Sequence, residues 1–280
     1  MYCAWCTEAC DATPCSTCGH EPLLDGRYRL DHPLGRGATG VTWAATRLSD
    51  GELVAIKAVP LPPGIGDKER ELVGREVEVL RQIDPPAVPS LLDAFTVRGG
   101  AGVRVQYLVQ TFIAGRTLDE ELAARRFDED EVLAVMEEVL PILAHLHGRS
   151  PPVVHRDIKP KNLIRRADGG LALIDFGAVK GALSHPDFGG STVAGTFGYM
   201  APEQFAGDAS PRSDLYALGV VAVALLSREE PRTLLEGGRL QWRGRVRVSA
   251  GTAALLQALL EVDPEARPHD ADTVLRRVRA

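Results

Sequence analysis

The chain has 280 residues, 45% of them hydrophobic and 25% charged. That is enough for one large core or two adjoining smaller ones, and it excludes a disordered, collagenous or rod-like protein. A net charge of -6 is poorly suited to a broad nucleic-acid surface, where Lys and Arg must neutralise phosphates. The longest nearly uninterrupted apolar run, Leu215 to Leu226, falls short of the ~18 residues that cross a bilayer, so no membrane span is expected. The opening MYCAWCTEAC has no cationic stretch followed by a long apolar one, so the cytoplasm is the expected location.

Taken in chain order, the first feature is chemical. All five cysteines (3, 6, 10, 15 and 18) precede residue 19, and residues 1–25 contain four carboxylates but no Lys or Arg. This break in composition sets residues 1–25 apart as a mini-module. Cys3-x2-Cys6 and Cys15-x2-Cys18 can supply four thiolates to one tetrahedral Zn²⁺, whose binding would fold a segment too short to hold a core. The pairing, with a glycine after Cys18, resembles a zinc ribbon. Cys10 or His20 could replace one ligand, and redox-active thiols or disulfides are the alternative.

Residues 28–34, 41–47 and 53–59 read as strands of an antiparallel meander, separated by Gly, Ser and Asp. A charged amphipathic helix is expected over 67–83, with Leu72, Val73, Glu76, Val79 and Leu80 on one stripe. Strands over 87–95 and 103–112 follow. Between the first two strands lies Leu34-Gly-Arg-Gly-Ala-Thr-Gly40, whose glycines 35, 37 and 40 would admit a phosphate chain close to the backbone and turn with positive φ, or simply form a structural hairpin. Strand character after Gly40 argues against a dinucleotide-binding turn, which would open a helix there. Lys57, in the apolar strand Val54-Ala-Ile-Lys57, needs a carboxylate or an anionic ligand if it is buried, and Glu76 is a candidate. The chain has only five Lys against 27 Arg, so a Lys placed here is informative.

After Gly115 the apolar period becomes helical, over 117–125, 128–147, 213–226, 251–261 and 270–278. A small β-rich lobe, about 27–112, joined to a larger helical one, about 115–280, makes an α+β protein. The second lobe carries Val154-His-Arg-Asp-Ile-Lys-Pro-Lys-Asn162, which holds a carboxylate, a cation and a metal-competent amide in one Pro-containing loop. Asp175-Phe-Gly177 follows the apolar run Leu171 to Ile174 and offers a second carboxylate. Phosphoryl transfer requires such a set: an oriented hydroxyl, neutralised charge and ligands for a hard cation.

In this order the motifs resemble those of the protein kinase superfamily, specifically the Hanks-type serine/threonine kinases of bacteria, over about residues 27–280. The resemblance implies a two-lobed kinase fold, with a β-rich N-lobe bearing one regulatory helix and a mainly helical C-lobe. It implies ATP and Mg²⁺, or Mn²⁺, as cofactors and a protein bearing Ser or Thr as substrate. Asp157 is then the catalytic base and Lys159 the γ-phosphate contact, while Asn162 and Asp175 are the Mg²⁺ ligands. Nucleotide-binding positions are Leu34, Gly35, Gly37, Gly40, Thr42, Ala55, Lys57, Glu76, Thr111, Ile113 and Ile164. Gly195-Thr-Phe-Gly-Tyr-Met-Ala-Pro-Glu203 resembles the end of an activation segment, with Thr196 beside the base. Glu203 and Arg267 resemble a buried ion pair, and Asp214 a support of the catalytic loop.

Some positions depart from the family pattern. Thr42 stands where Val usually covers the adenine, Ala38-Thr39 replaces an aromatic loop tip, and Gln110 is the gatekeeper. Residues 228–249 match poorly and are expected to carry substrate or partner specificity. Arg156 and Lys180 suggest a receptor for a phosphate placed on Ser184, Ser191, Thr192 or Thr196, with autophosphorylation at Ser191 or Thr192 expected. Alternatively Arg156 only packs the loop. The competing class is a non-catalytic adaptor that binds a partner through the zinc module and the kinase-like lobe; the intact Lys57, Asp157, Asn162 and Asp175 weigh against it. His145, His147 and His155 read as packing or capping residues.

Overall fold

The structure is a computed structural model that describes residues 1–37, 40–61, 77, 81, 83, 87–98, 104–175 and 195–280. Its contacts divide into two compact units, one of Met1–Asp84 with Pro89–Ile113 and the other of Pro85–Val88 with Ala114–Ala280.

The first unit is built on five strands, β1 (Tyr28–Gly37), β2 (Gly40–Arg47), β3 (Leu53–Pro60), β4 (Leu91–Arg98) and β5 (Arg104–Thr111), in the order β1-β2-β3-β5-β4. All neighbouring pairs are antiparallel. The β1 strand runs three residues past the expected Leu34, because Gly37 still pairs with Gly40 across the hairpin. The β4 strand starts at Leu91 rather than residue 87, since Pro89 has no N–H for a ladder. Alternation puts Leu30, Trp43, Ala45, Val54, Ile56, Tyr107 and Val109 into one apolar cluster, which Leu24 and Tyr28 complete. Cross-strand register places Thr42, Lys57 and Leu108, and beside them Ala44, Ala55 and Gln110, on the opposite face.

The cysteine segment packs within this unit. Tyr2 donates its N–H to Leu30 O at 2.7 Å, and its ring lies 5.2 Å from that of Trp43. Of the expected helix over 67–83, Val77 and Arg81 are described and helical, with Val77 buried. Leu72, Val73, Glu76, Val79 and Leu80 lie outside the described residues.

The second unit holds α1 (Leu118–Ala124), α2 (Glu129–His147), α3 (Pro211–Ser227), α4 (Ala250–Leu259) and α5 (Ala271–Val278). Capping residues set their starts: Thr117 with Glu120, and Asp128 with Glu131, form capping boxes at α1 and α2. Ser249 and Asp270 accept the N–H groups of Thr252 and Thr273 at α4 and α5. Helix α3 is buried from Ser213 to Leu225 without a polar stripe, so it forms the centre of this unit. A small sheet, β6 (Arg116–Thr117), β7 (Leu163–Arg165) and β8 (Leu171–Leu173), frames the predicted loop. The poorly matching stretch contains a hairpin, β9 (Leu235–Glu236) and β10 (Arg239–Leu240), with Trp242 buried beyond it.

Candidate active site and cysteine cluster

In the second unit, the loop between α2 and β7 gathers Asp157, Lys159 and Asn162 around one carboxylate. Lys159 Nζ donates to Asp157 Oδ2 at 2.9 Å and to Thr196 Oγ1 at 2.6 Å, and Thr196 in turn donates to Asp157 Oδ1 at 2.9 Å. Residues 37 to 39 positions apart therefore meet at the same carboxylate. Asn162 Nδ2 donates to Asp157 O at 2.7 Å, which turns its amide oxygen away from that contact. No described residue donates to that oxygen, so Asn162 keeps a hard-cation ligand available. Asn162 O also accepts the Ile174 N–H at 2.9 Å, which ties the start of Asp175 to the same loop. Asp175 is half-buried and has a left-handed backbone, φ +64, a conformation that costs energy outside glycine. Ile164 is buried on β7 opposite Ala172. Phe176 and Gly177 lie outside the described residues, as do Lys180, Ser184, Ser191 and Thr192.

Two buried groups hold this loop. Asp214, near the start of α3, accepts the N–H groups of His155 at 2.8 Å and Arg156 at 2.9 Å, together with His147 Nε2 at 2.9 Å. His155 is fully buried, and desolvation holds its imidazole below the usual histidine range. It is therefore neutral: Nε2–H donates to Ile174 O at 3.0 Å, and Nδ1 accepts the Asp157 N–H at 3.3 Å. One ring thus links the backbone of Asp157 to the strand end that carries Asp175. The sequence reading gave His147 and His155 packing or capping roles and did not see this link, because the partner of each comes from a distant segment.

A buried ion pair adds a second anchor. Glu203 and Arg267 form a bidentate pair at 2.7 and 2.9 Å. Every N–H of the Arg267 guanidinium is used, since Glu261 O, Val262 O and Arg212 O take the remainder. Gly195 has φ +144, and a Cβ there would come within 2.5 Å of Met200 Cε, so this turn requires glycine. Phe197 is 63% exposed and meets exposed Phe205 edge to face at 6.4 Å, an apolar shelf beside Thr196 that the motifs alone did not show.

In the first unit, Lys57 is buried on β3, with Thr42 and Leu108 as its cross-strand neighbours, and Ala55 lies two positions before it on the same face. Gly40 has φ +133, and a Cβ there would lie 1.8 Å from Ala58 O, so its glycine is dictated by the close approach of β3. Gly35 and Gly37 do not have positive φ, contrary to the expectation for them; a Cβ on either meets nothing within 4 Å. Leu34 is exposed on the same hairpin. Thr111 Oγ1 accepts the Ser90 N–H at 3.0 Å, and Ile113 ends the unit. Glu76 lies outside the described residues, as do Ala38 and Thr39.

Residues 28–277 match the family model described as the protein kinase domain. The chain belongs to the protein kinase family. Its fold is accordingly the protein-kinase fold, with an antiparallel sheet and helices in place. Among its curated relatives, serine/threonine-protein kinase B of Synechocystis is 34% identical over 93% of this chain and 48% of the relative. Serine/threonine-protein kinase C of the same organism is 35% identical over 92% of this chain and 50% of the relative. Serine/threonine-protein kinase PAK 1 of Mus musculus is 30% identical over 86% and 44%. This kinase chain thus spans about half the length of the curated relatives it matches.

The cysteine segment of the kinase forms a second cluster. The sulfurs of Cys3, Cys6, Cys15 and Cys18 all lie within 4.8 Å of one another, with Cys3–Cys18 at 3.6 Å and Cys6–Cys15 at 3.8 Å. Those separations are too long for disulfides and match the ~3.8 Å edge of a tetrahedron with Zn–S bonds of about 2.3 Å. The Cys18 and Thr17 N–H groups draw the Cys15 thiol down to about 6, while Cys6 in the same quartet is pushed up to about 12. Cys10 and His20 stand apart from the quartet: Cys10 Sγ donates to Ala12 O, while the His20 ring stacks on Trp5 with its Nδ1 at Cys18 O. Among the described residues no helix is long and apolar enough to cross a membrane.

Proposed function

We propose that this chain is a serine/threonine protein kinase that transfers the γ-phosphoryl group of ATP to Ser or Thr hydroxyls of a protein. The observation that carries the reading is the mutual hydrogen bonding of Asp157 and Lys159, from one loop, with Thr196, from a distant segment. Asp157 accepts and orients the proton of the acceptor hydroxyl, Lys159 neutralises charge on the transferring phosphoryl group, and Thr196 holds both in register. Asn162 and Asp175 are the residues that would hold Mg²⁺, whose chemistry is to neutralise phosphate charge. Lys57, with the partner proposed at Glu76, takes the α and β phosphates under the hairpin of Gly35, Gly37 and Gly40. Leu34, Thr42, Ala55, Thr111, Ile113 and Ile164 complete the nucleotide contacts. The shelf of Phe197 and Phe205 favours an apolar side chain next to the acceptor in the substrate.

The domain division proposed is a module at 1–25 and a catalytic domain at 27–280. The module holds one structural Zn²⁺ through Cys3, Cys6, Cys15 and Cys18, a reading supported by the four-sulfur geometry. Autophosphorylation of the activation segment and action in the cytoplasm belong to the same proposal. The test is incubation of the purified chain with γ-labelled ATP, Mg²⁺ and a generic protein acceptor, followed by phosphoamino-acid analysis. Label on phosphoserine or phosphothreonine supports the reading; labelled nucleotide binding without any transfer favours the adaptor.

A further inference from the structure

A cavity of about 410 Å³ lies between the cysteine segment and the sheet face that bears Trp43. Its walls are Trp5, Leu23 and Leu24 on one side and Val41, Trp43, Ala58, Val97, Val105 and Tyr107 on the other. The strand alternation that turns Ala58 into this space turns Lys57 to the opposite face of the sheet. A volume in the ~300–1,000 Å³ range with apolar walls is typical of a small-molecule site rather than a packing flaw.

Two polar groups make the cavity more than an apolar gap. Neither the indole N–H of the largely buried Trp43 nor the phenol of Tyr107 has a hydrogen-bond partner among the described residues, and neither atom is sealed from water, so each is open to a bound acceptor. Buried aromatic donors ordinarily find an acceptor. Burial also holds the Tyr107 phenol above its usual range, so it remains a donor. The cavity lining includes Glu21 and Asp25, the latter paired with Arg27 at 2.7 Å, and no described Lys or Arg. That charge disfavours an anion, fatty acids included.

We propose that this cavity binds an uncharged, largely apolar small molecule bearing a carbonyl-type acceptor, held by the Trp43 and Tyr107 donors. Gly40 of the phosphate hairpin also lines this cavity, but Thr42, Ala55 and Lys57 lie on the opposite face of the sheet, so the two readings are tested separately.

Nile red, a neutral apolar dye with a carbonyl acceptor, is the probe, and the anionic dye ANS the comparison, both titrated into the full chain. Expected are a saturable one-to-one fluorescence rise with Nile red and affinity for ANS lower by roughly tenfold or more. Tyr107→Phe, which removes one donor, weakens Nile red by about two- to tenfold. Val97→Trp, which fills the space, abolishes saturable binding while the thermal melt stays cooperative. Should that variant melt non-cooperatively, Val105→Phe from the neighbouring strand takes its place, since Val97 and Val105 are cross-strand partners. Non-saturable binding, equal affinity for both dyes, or unchanged affinity in the filled variant would overturn the proposal. So would Nile red binding that disappears as the protein self-associates, because a second copy would then be the occupant.

Discussion

His155 is a neutral ring beside the carboxylates of Asp157 and Asp214, and its burial has a measurable consequence. Its folded pKa is below the unfolded value of about 6.5, so the unfolded chain binds the extra proton first as pH falls. The stability it contributes is complete above about 6.5 and is lost as pH drops toward the folded value. Melting temperature is therefore expected to fall between pH about 7.5 and about 5.5, before the carboxylates titrate, and His155→Gln should flatten that limb. Calorimetry across this window checks it; equal slopes for both proteins would contradict it. This residue also shows what the sequence withheld. Asp157, Lys159 and Asn162 were legible because their order in one short loop is specific. The ring that aligns them was not, since its acceptor at Ile174 O is nineteen residues away and carries no side-chain signature.

At the scale of elements, periodicity located the five described strands of the first sheet and the five helices of the second unit to within a few residues, while the caps at Thr117, Asp128, Ser249 and Asp270 came from the structure. The strands β6, β7 and β8 went unread: two or three residues are too few to display a period of two. Glu203 and Arg267 were legible as a pair, but the density of their contacts was not. Removing one partner leaves a buried charge, so Arg267→Met should cost about 3–5 kcal/mol in chemical denaturation, with little change if Glu203 is replaced by Met as well. The cysteine quartet permits a similar test. Because Tyr2 and Leu24 of that segment pack with Leu30 and Trp43 of the sheet, a chelator that strips zinc should lower the melting temperature of the whole first unit. Elemental analysis should give one zinc per chain, and Cys15→Ser should lose it; a zinc-free protein with four reactive thiols would refute the metal.

For the whole molecule, the family assignment rests on residues 28–277, and the residues proposed for the chemistry are found in both units. The first supplies Lys57 on a sheet face opposite its apolar core; the second supplies Asp157, Lys159, Asn162 and Asp175 on and beside one hydrogen-bonded loop. Relatives about twice as long place this catalytic chemistry within larger proteins, and the targets of this chain are to be found by phosphosite mapping rather than by analogy. The direct test of the central claim is single-turnover transfer from γ-labelled ATP by Asp157→Asn. The account predicts a loss of about 10²- to 10⁴-fold in rate with ATP affinity and melting temperature near those of the unaltered chain. Transfer at the unaltered rate would show that this carboxylate does not orient the acceptor and would contradict the mechanism proposed for this chain.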